Sequence, residues 1–267
     1  MTELQQKIFD ILSWTDAVCR EHKVRYYLMG GSMLGAVRHH GFIPWDDDVD
    51  IAIPREDYEK LYRILRQKND PTYCVETYEN GAADYIYPYM KIYDKTTTVI
   101  ENSSNTLKRG VFLDIFPIDG LGTYQEEHQK NFKRIRLAVN FLSTKTCRWS
   151  KGRKLYKNLA IVVAKLIPLF GGYQKLLKHI DTLCKKYAYD TSDQVGVLSG
   201  TYGEKEIMPR NYYGTPTEYE FEGKMFFGVE RYDEYLSKLY GNYMTPPPES
   251  KRVAPHGFLF CDLNKPF

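Results

Sequence analysis

The sequence predicts an α+β fold, with a mixed β-sheet core and flanking helices in the first half and a helical, basic region in the second. Three observations predict it. Short apolar runs bounded by Gly, Pro and Asp crowd the stretch before residue 120, as strands do. Beyond it, residues 124–143, 153–168 and 173–189 repeat their apolar positions at helical spacing. Charge divides the same way: residues 130–186 hold fifteen Lys and Arg against one acid, Asp181, and so carry +14 in a chain whose total is +3.

Each element has its own signal. Leu4, Ile8, Ile11, Leu12, Val18 and Cys19 place a helix over residues 3–21. Val24–Met29 reads as a strand, broken by Gly30 and Gly31, after which Ser32 can cap a short helix to about Arg38. Residues 39–47 form a loop with Gly41 and Pro44. Val49–Ile53 is a strand, and Pro54 opens a helix to about Gln67. Strand-like runs follow at 73–79, 85–94, 96–101 and 111–119. The tail mixes short strands at 195–199 and 217–227, a helix over 229–240 and an irregular TPPPESKRVAPHGF. The expected organisation is a core of residues 1–123, a basic helical region of 124–190 and a C-terminal segment, 191–267, packing back on the core as one unit.

Composition excludes several classes. At 43% hydrophobic and 27% charged the chain is neither disordered nor fibrous. Its greasiest stretch, Leu159–Phe170, is interrupted by Lys165 and Pro168 and falls short of the ~20 residues of a spanning helix. The first residues lack the apolar core of a signal peptide. Five scattered cysteines form no CxxC pair, which argues against zinc and a disulfide framework and for a reducing cytoplasm. The basic segment matches no nucleic-acid reader, so no nucleic-acid partner is expected. With its apolar stretches it fits the inner face of an anionic membrane, or a solvated helical surface over an ordinary core.

The chemistry is concentrated in Met29–Ile53, MGGSMLGAVRHHGFIPWDDDVDIAI. Asp46, Asp47, Asp48 and Asp50 fall within five positions and lead into a buried strand. Strand alternation places Asp46, Asp48 and Asp50 on one side and Asp47 on the other. Like charges this close repel, and a hard divalent cation, Mg²⁺ or Mn²⁺, relieves the repulsion. Upstream, strand, Gly-Gly-Ser and helix form a phosphate cradle, because glycine permits close approach and a helix N-terminus offers N–H groups. Trp45 beside the acids is a loop anchor or a wall of the pocket. Tyr85, Tyr87 and Tyr89 alternate along one run, and aromatic rings can hold a quaternary ammonium.

This stretch resembles the signature of the LicD family of phosphotransferases, which includes bacterial phosphorylcholine transferases and, more distantly, fukutin-type phosphoribitol transferases. MKIYDKTTT (90–98), VFLDIFPIDG (111–120) and YGNYMTPPPESKRVAPHG (240–257) are similar to further family segments. The resemblance implies a nucleotidyltransferase-type core. It implies Asp48 and Asp50 as a metal-binding pair and Asp114 as a third carboxylate, a metal ligand or the base, with Asp119 its rival as base. It implies Gly31 and Ser32 in the phosphate-binding turn, and it puts Arg38 and Lys91 in reach as phosphate clamps. His256 belongs to the C-terminal motif. The implied reaction moves phosphocholine, or a related phospho-alcohol, from CDP-choline or a similar CDP-alcohol to a hydroxyl of a lipid-linked anionic glycan, such as a teichoic acid or lipopolysaccharide precursor. CMP is released. Nucleotidyl transfer from an NTP, or a non-catalytic scaffold on the same fold, also fits a Gly-Gly-Ser turn with acids.

Overall fold

A nine-residue strand, Phe112–Gly120, is the axis of the fold. The computed structural model describes residues 1–101, 107–122, 125–254 and 257–267, with 125–127 as backbone only. Its elements run α1 (Glu3–Glu21), β1 (Tyr27–Leu28), α2 (Gly30–His39), β2 (Asp50–Pro54), α3 (Arg55–Gln67), β3 (Tyr73–Glu76), β4 (Met90–Asp94), β5 (Thr98–Ile100), β6 (Lys108–Arg109) and β7, the axial strand. There follow α4 (Gln125–Thr146), α5 (Leu155–Leu166), α6 (Gly172–Cys184), β8 (Gln194–Gly196), β9 (Met208–Pro209), α7 (Arg210–Tyr213), β10 (Thr217–Phe221), β11 (Lys224–Gly228), α8 (Tyr232–Tyr240) and β12 (Phe260–Asp262).

The main sheet is mixed, in the order β10-β11-β1-β2-β7-β4-β3, with β8 and β9 continuing from the end of β7. β2 and β7 run parallel with Asp50 opposite Asp114, and β4 runs antiparallel to β7 with Lys91 opposite the same Asp114. Three charged residues therefore meet side by side on three central strands. β7 is held there by burial of Phe112, Leu113, Ile115 and Ile118. Its pairing with β4 stops at Ile115, so Pro117 sits where one side of the strand is open. The C-terminal segment returns twice: β11 pairs parallel with β1, and β12 pairs with β5.

α1 opens with a capping box, Thr2 and Gln5 each taking the other's backbone N–H. Several expectations shift. The strand expected over 24–29 narrows to Tyr27–Leu28. The one expected over 85–94 begins only at Met90, since Pro88 has no N–H to pair and the Tyr85 hydroxyl donates to the carbonyls of Glu76 and Tyr89. The helix expected from Val229 starts at Tyr232, because the N–H groups of Glu230 and Arg231 go to the carbonyls of Tyr213 and Tyr212. Ser32 is no cap: α2 starts at Gly30, whose φ of +54° favours glycine.

Apolar side chains gather in two clusters. The larger lies on the sheet beneath α1, α2, α3 and α8. The second joins α4 and α6 to Tyr85, Leu121 and Leu198. Arg55 on α3 bolts the two together: its guanidinium makes a bidentate pair with Asp119 on β7, 2.7 Å to each oxygen, and a third bond of 2.9 Å to Asp181 on α6. Tyr78 and Lys185 also bond Asp181, at 2.7 and 2.8 Å. The lone acid of the basic stretch is thus spent on a buried structural junction.

Candidate active site

A cavity of about 510 Å³ opens over the N-terminal end of α2 and the strands β2 and β7. Met29 at the cap of α2 and Gly30 and Gly31 in its first turn line it, while Asp46, Asp48, Asp50 and Asp114 supply carboxylates. Trp45, Tyr89, Phe116, Tyr202 and Tyr240 supply rings, and Glu206 closes one side.

The acids are held by backbone ties. Residues 46–49 form a loop rather than a strand, so strand pleating is not what orders their side chains. Asp46, Asp47 and Asp48 each bring one oxygen within 4.8 Å of the others, a spacing that a divalent cation can bridge. Asp47 nevertheless stands outside the cavity lining, while Asp46, Asp48 and Asp50 share it. The Gln5 side chain donates to the carbonyl of Asp46 at 3.0 Å, fixing the loop to α1. The Asp50 N–H donates to Ser32 Oγ at 2.8 Å, and the Met29 N–H to the carbonyl of Asp50 at 3.1 Å, fixing β2 to the start of α2. A Cβ on Gly31 would stand 3.0 Å from Asp46 Oδ2, so glycine lets the acidic loop lie against the helix end. Tyr235 on α8 accepts the N–H of Gly30 at 3.1 Å.

Charge accumulates at Asp50. Burial pushes its carboxyl well above the ordinary range, and Asp48, Asp114 and Asp46 push it further. Lys91 opposes them. Its ammonium is fully buried, 2.9 Å from Asp114 and 3.3 Å from Glu101, over the faces of Phe112 and Tyr87. Burial lowers the lysine's proton affinity, but its two carboxylates outweigh that and leave it raised, so it stays charged.

Several expected residues have other work. Lys91 is no phosphate clamp, since its charge is engaged below the cavity as the counter-ion of Asp114. Ser32 lies beneath the lining and positions Asp50. Asp119, the rival base, is 1% exposed and fully engaged by Arg55. Arg38 donates to the carbonyl of Tyr243 at 2.6 Å and to His39, outside the lining. Burial, then the charge of neighbouring Arg252, holds its guanidinium below the ordinary range. Arg252 in turn sits 5.3 Å over the ring of Trp45. Of the three tyrosines in a row, rings touch in succession at 5.5 Å, yet only Tyr89 is among the lining residues. His256 lies outside the described residues.

Glu206 escaped the sequence reading. It is 4% exposed, accepts the Tyr202 N–H at 2.8 Å through Oε1, and has no hydrogen-bond partner on Oε2 among the described residues. Burial pushes its carboxyl up to about 7, against the lowering effects of that N–H and of Arg136. Nothing in the local sequence marks it: a glutamate in a short GEKE turn looks solvated until the fold brings residues 199–206 over the strands. Tyr240 was closer to view, as the first residue of the YGNYM segment.

Adjacent strands presenting carboxylates beside a glycine-opened helix define a phosphoryl- or nucleotidyl-transfer type of site. Comparison with known proteins gives the same class. Residues 23–144 match the LicD/FKTN/FKRP nucleotidyltransferase domain. The chain is 33% identical over 261 residues, 96% of each protein, to the lipopolysaccharide cholinephosphotransferase LicD of Haemophilus influenzae. It is 65% identical over 34 residues to the human ribitol 5-phosphate transferase FKRP, 13% of this chain and 7% of that protein. An uncharacterized protein of Rickettsia prowazekii is 39% identical over 74 residues, 28% of this chain and 27% of that one. The chain belongs to the LicD family and is a phosphotransferase.

Proposed function

We propose that this enzyme transfers phosphocholine from CDP-choline to a hydroxyl of a cell-envelope glycan, working in the cytoplasm where nucleotide donors are made. The observation that carries this reading is the Asp50–Asp114 register across β2 and β7, open to a cavity that begins at Gly30 and Gly31, in a chain 33% identical over 96% of its length to a cholinephosphotransferase. The carboxylates of Asp48, Asp50 and Asp114 would hold Mg²⁺ or Mn²⁺, with Asp46 and Asp47 beside them. The excess negative charge at Asp50 and the all-oxygen donor set fit such an ion. When bound, it neutralises charge on the donor diphosphate.

The chain's own groups divide the remaining work. The open end of α2 receives phosphate oxygens. Rings of Trp45, Tyr89, Tyr202 and Tyr240 offer the aromatic surface that a quaternary ammonium prefers, which favours choline over an uncharged polyol. Arg38 and Arg252, two like charges side by side near Trp45, gain from an anion between them. The acceptor O–H attacks the phosphorus that bears choline. A new O–P bond forms, the P–O bond to CMP breaks, and the electron pair leaves on CMP. Glu206, poised near neutrality on the cavity wall, takes the acceptor's proton. Asp114 is ion-paired to Lys91 at 2.9 Å.

Thermal-shift measurements test the donor. With Mg²⁺, CDP-choline at a hundred times its Kd is expected to raise Tm by roughly 5–10 °C, more than CDP-glycerol, CDP-ribitol, CTP or ATP. The gain should vanish with EDTA. If CTP or ATP shifts the protein most, nucleotidyl transfer replaces this reading.

A further inference from the structure

The helix α5 is built inside out. Asn158, Ile161 and Ala164 face α4 and are buried. Leu155, Leu159, Val163 and Leu166 point away and are 76%, 60%, 52% and 76% exposed. With Val162 they fall within about 100° of the helix circumference, a continuous apolar stripe. Phe170, just past the helix, is 82% exposed. Soluble surfaces rarely keep such a stripe in water.

The arrangement is fixed rather than loose. Lys145 on α4 donates to the carbonyls of Ala164 and Ile167 at 2.8 and 2.6 Å, closing the C-terminal end of α5. Asn158 donates to the carbonyl of Ser150 at 2.9 Å, tying the other end. These bonds hold the apolar side outward. Exposed lysines lie along the same segment: Lys151, Lys154, Lys157 and Lys165, with Lys175 and Lys178 further on in α6. From residue 128 to 180 the sequence has no acid to offset them.

We infer that the outer face of α5 docks on an anionic lipid bilayer surface, the apolar stripe entering the headgroup region and the lysines pairing with lipid phosphates. Charge complementarity selects this occupant, because an uncompensated cationic surrounding repels a second copy of itself. Docking also serves the geometry. Arg136, nine residues before Lys145 on α4, donates to the carbonyl of Gly200 in the cavity wall at 2.5 Å. The tie to the cavity and the tie to α5 are therefore roughly 14 Å apart along one helix. A bilayer at α5 lies close to the site where a lipid-linked acceptor would react. The docking itself is independent of which donor the site uses.

Vesicle flotation tests it. The full chain is expected to float with phosphatidylethanolamine vesicles containing phosphatidylglycerol, less as salt rises, and to stay behind with pure phosphatidylcholine vesicles. Leu159→Glu with Leu166→Glu, both at solvent-exposed positions, should cost at least about tenfold in vesicle affinity while leaving the melting curve intact. Lys154→Glu, Lys157→Glu and Lys165→Glu together should weaken binding by about fivefold or more per charge. A wild type that fails to float with anionic vesicles, or variants that float like it, would overturn the inference. So would a wild-type dimer that the leucine substitutions dissociate without any flotation, since the stripe would then belong to a second copy.

Discussion

Asp114 and Asp119 stand five residues apart on the same strand, and both are buried. Odd spacing sends them to opposite faces of the sheet. Asp119 meets Arg55, whose fork takes both oxygens at 2.7 Å, and the acid becomes a structural joint. Asp114 meets Lys91, a point charge shared with Glu101, and lies in the cavity with Asp46, Asp48 and Asp50. One acid is neutralised in full by planar, bidentate pairing. The other sits among carboxylates whose charges push the Asp50 carboxyl up. The proposed chemistry falls where like charges crowd, and the structural joint where planar pairing is made.

Asp48→Asn with Asp50→Asn should lower turnover by roughly 10³-fold or more, since a bound ion contributes several powers of ten. Its Tm in the absence of metal should hold or rise, because a buried repulsion is removed. Arg55→Ala should do the reverse. It leaves Asp119 and Asp181 buried without their cation, destabilising the fold by about 3–5 kcal/mol in denaturant titrations, while activity per folded molecule persists.

Smaller effects sharpen the contrast. The folded state holds the proton of Glu206 more tightly than the unfolded chain does, so the stability this gives is complete below the ordinary carboxyl range and is lost as pH rises through about 7. Glu206→Gln should flatten the fall of Tm between about pH 5 and pH 8, a difference of roughly 5 °C, and should remove the rising limb of kcat if the carboxylate is the base. Ser32→Ala removes one bond to the Asp50 N–H and should cost about 1 kcal/mol, with KM for the donor rising more than the loss of stability explains. An unchanged KM would make Ser32 a purely structural contact.

Much of this could be read from the chain. The run of acids entering IAI drew the eye to the first carboxylates, and the resemblance of VFLDIFPIDG to a family segment added Asp114. The helical periods of α1, α3 and α4 were legible because an apolar face fixes them regardless of partners. What stayed hidden depends on tertiary pairing. No sequence rule distinguishes Lys91 as an internal counter-ion from a lysine that clamps phosphate. None places Glu206 against strands more than ninety residues upstream. Charge along 130–186 hinted at a surface, yet only the packing of Asn158, Ile161 and Ala164 on α4 shows which side of α5 is left facing out.

The most direct test of the central claim is product analysis with purified enzyme, Mg²⁺, CDP-choline labelled on the choline side, and a glycan acceptor. One CMP is expected for each labelled phosphocholine that appears on the acceptor, with nothing transferred by the Asp48→Asn, Asp50→Asn double variant. Pyrophosphate released from an NTP, with no CMP formed from CDP-choline, would contradict it.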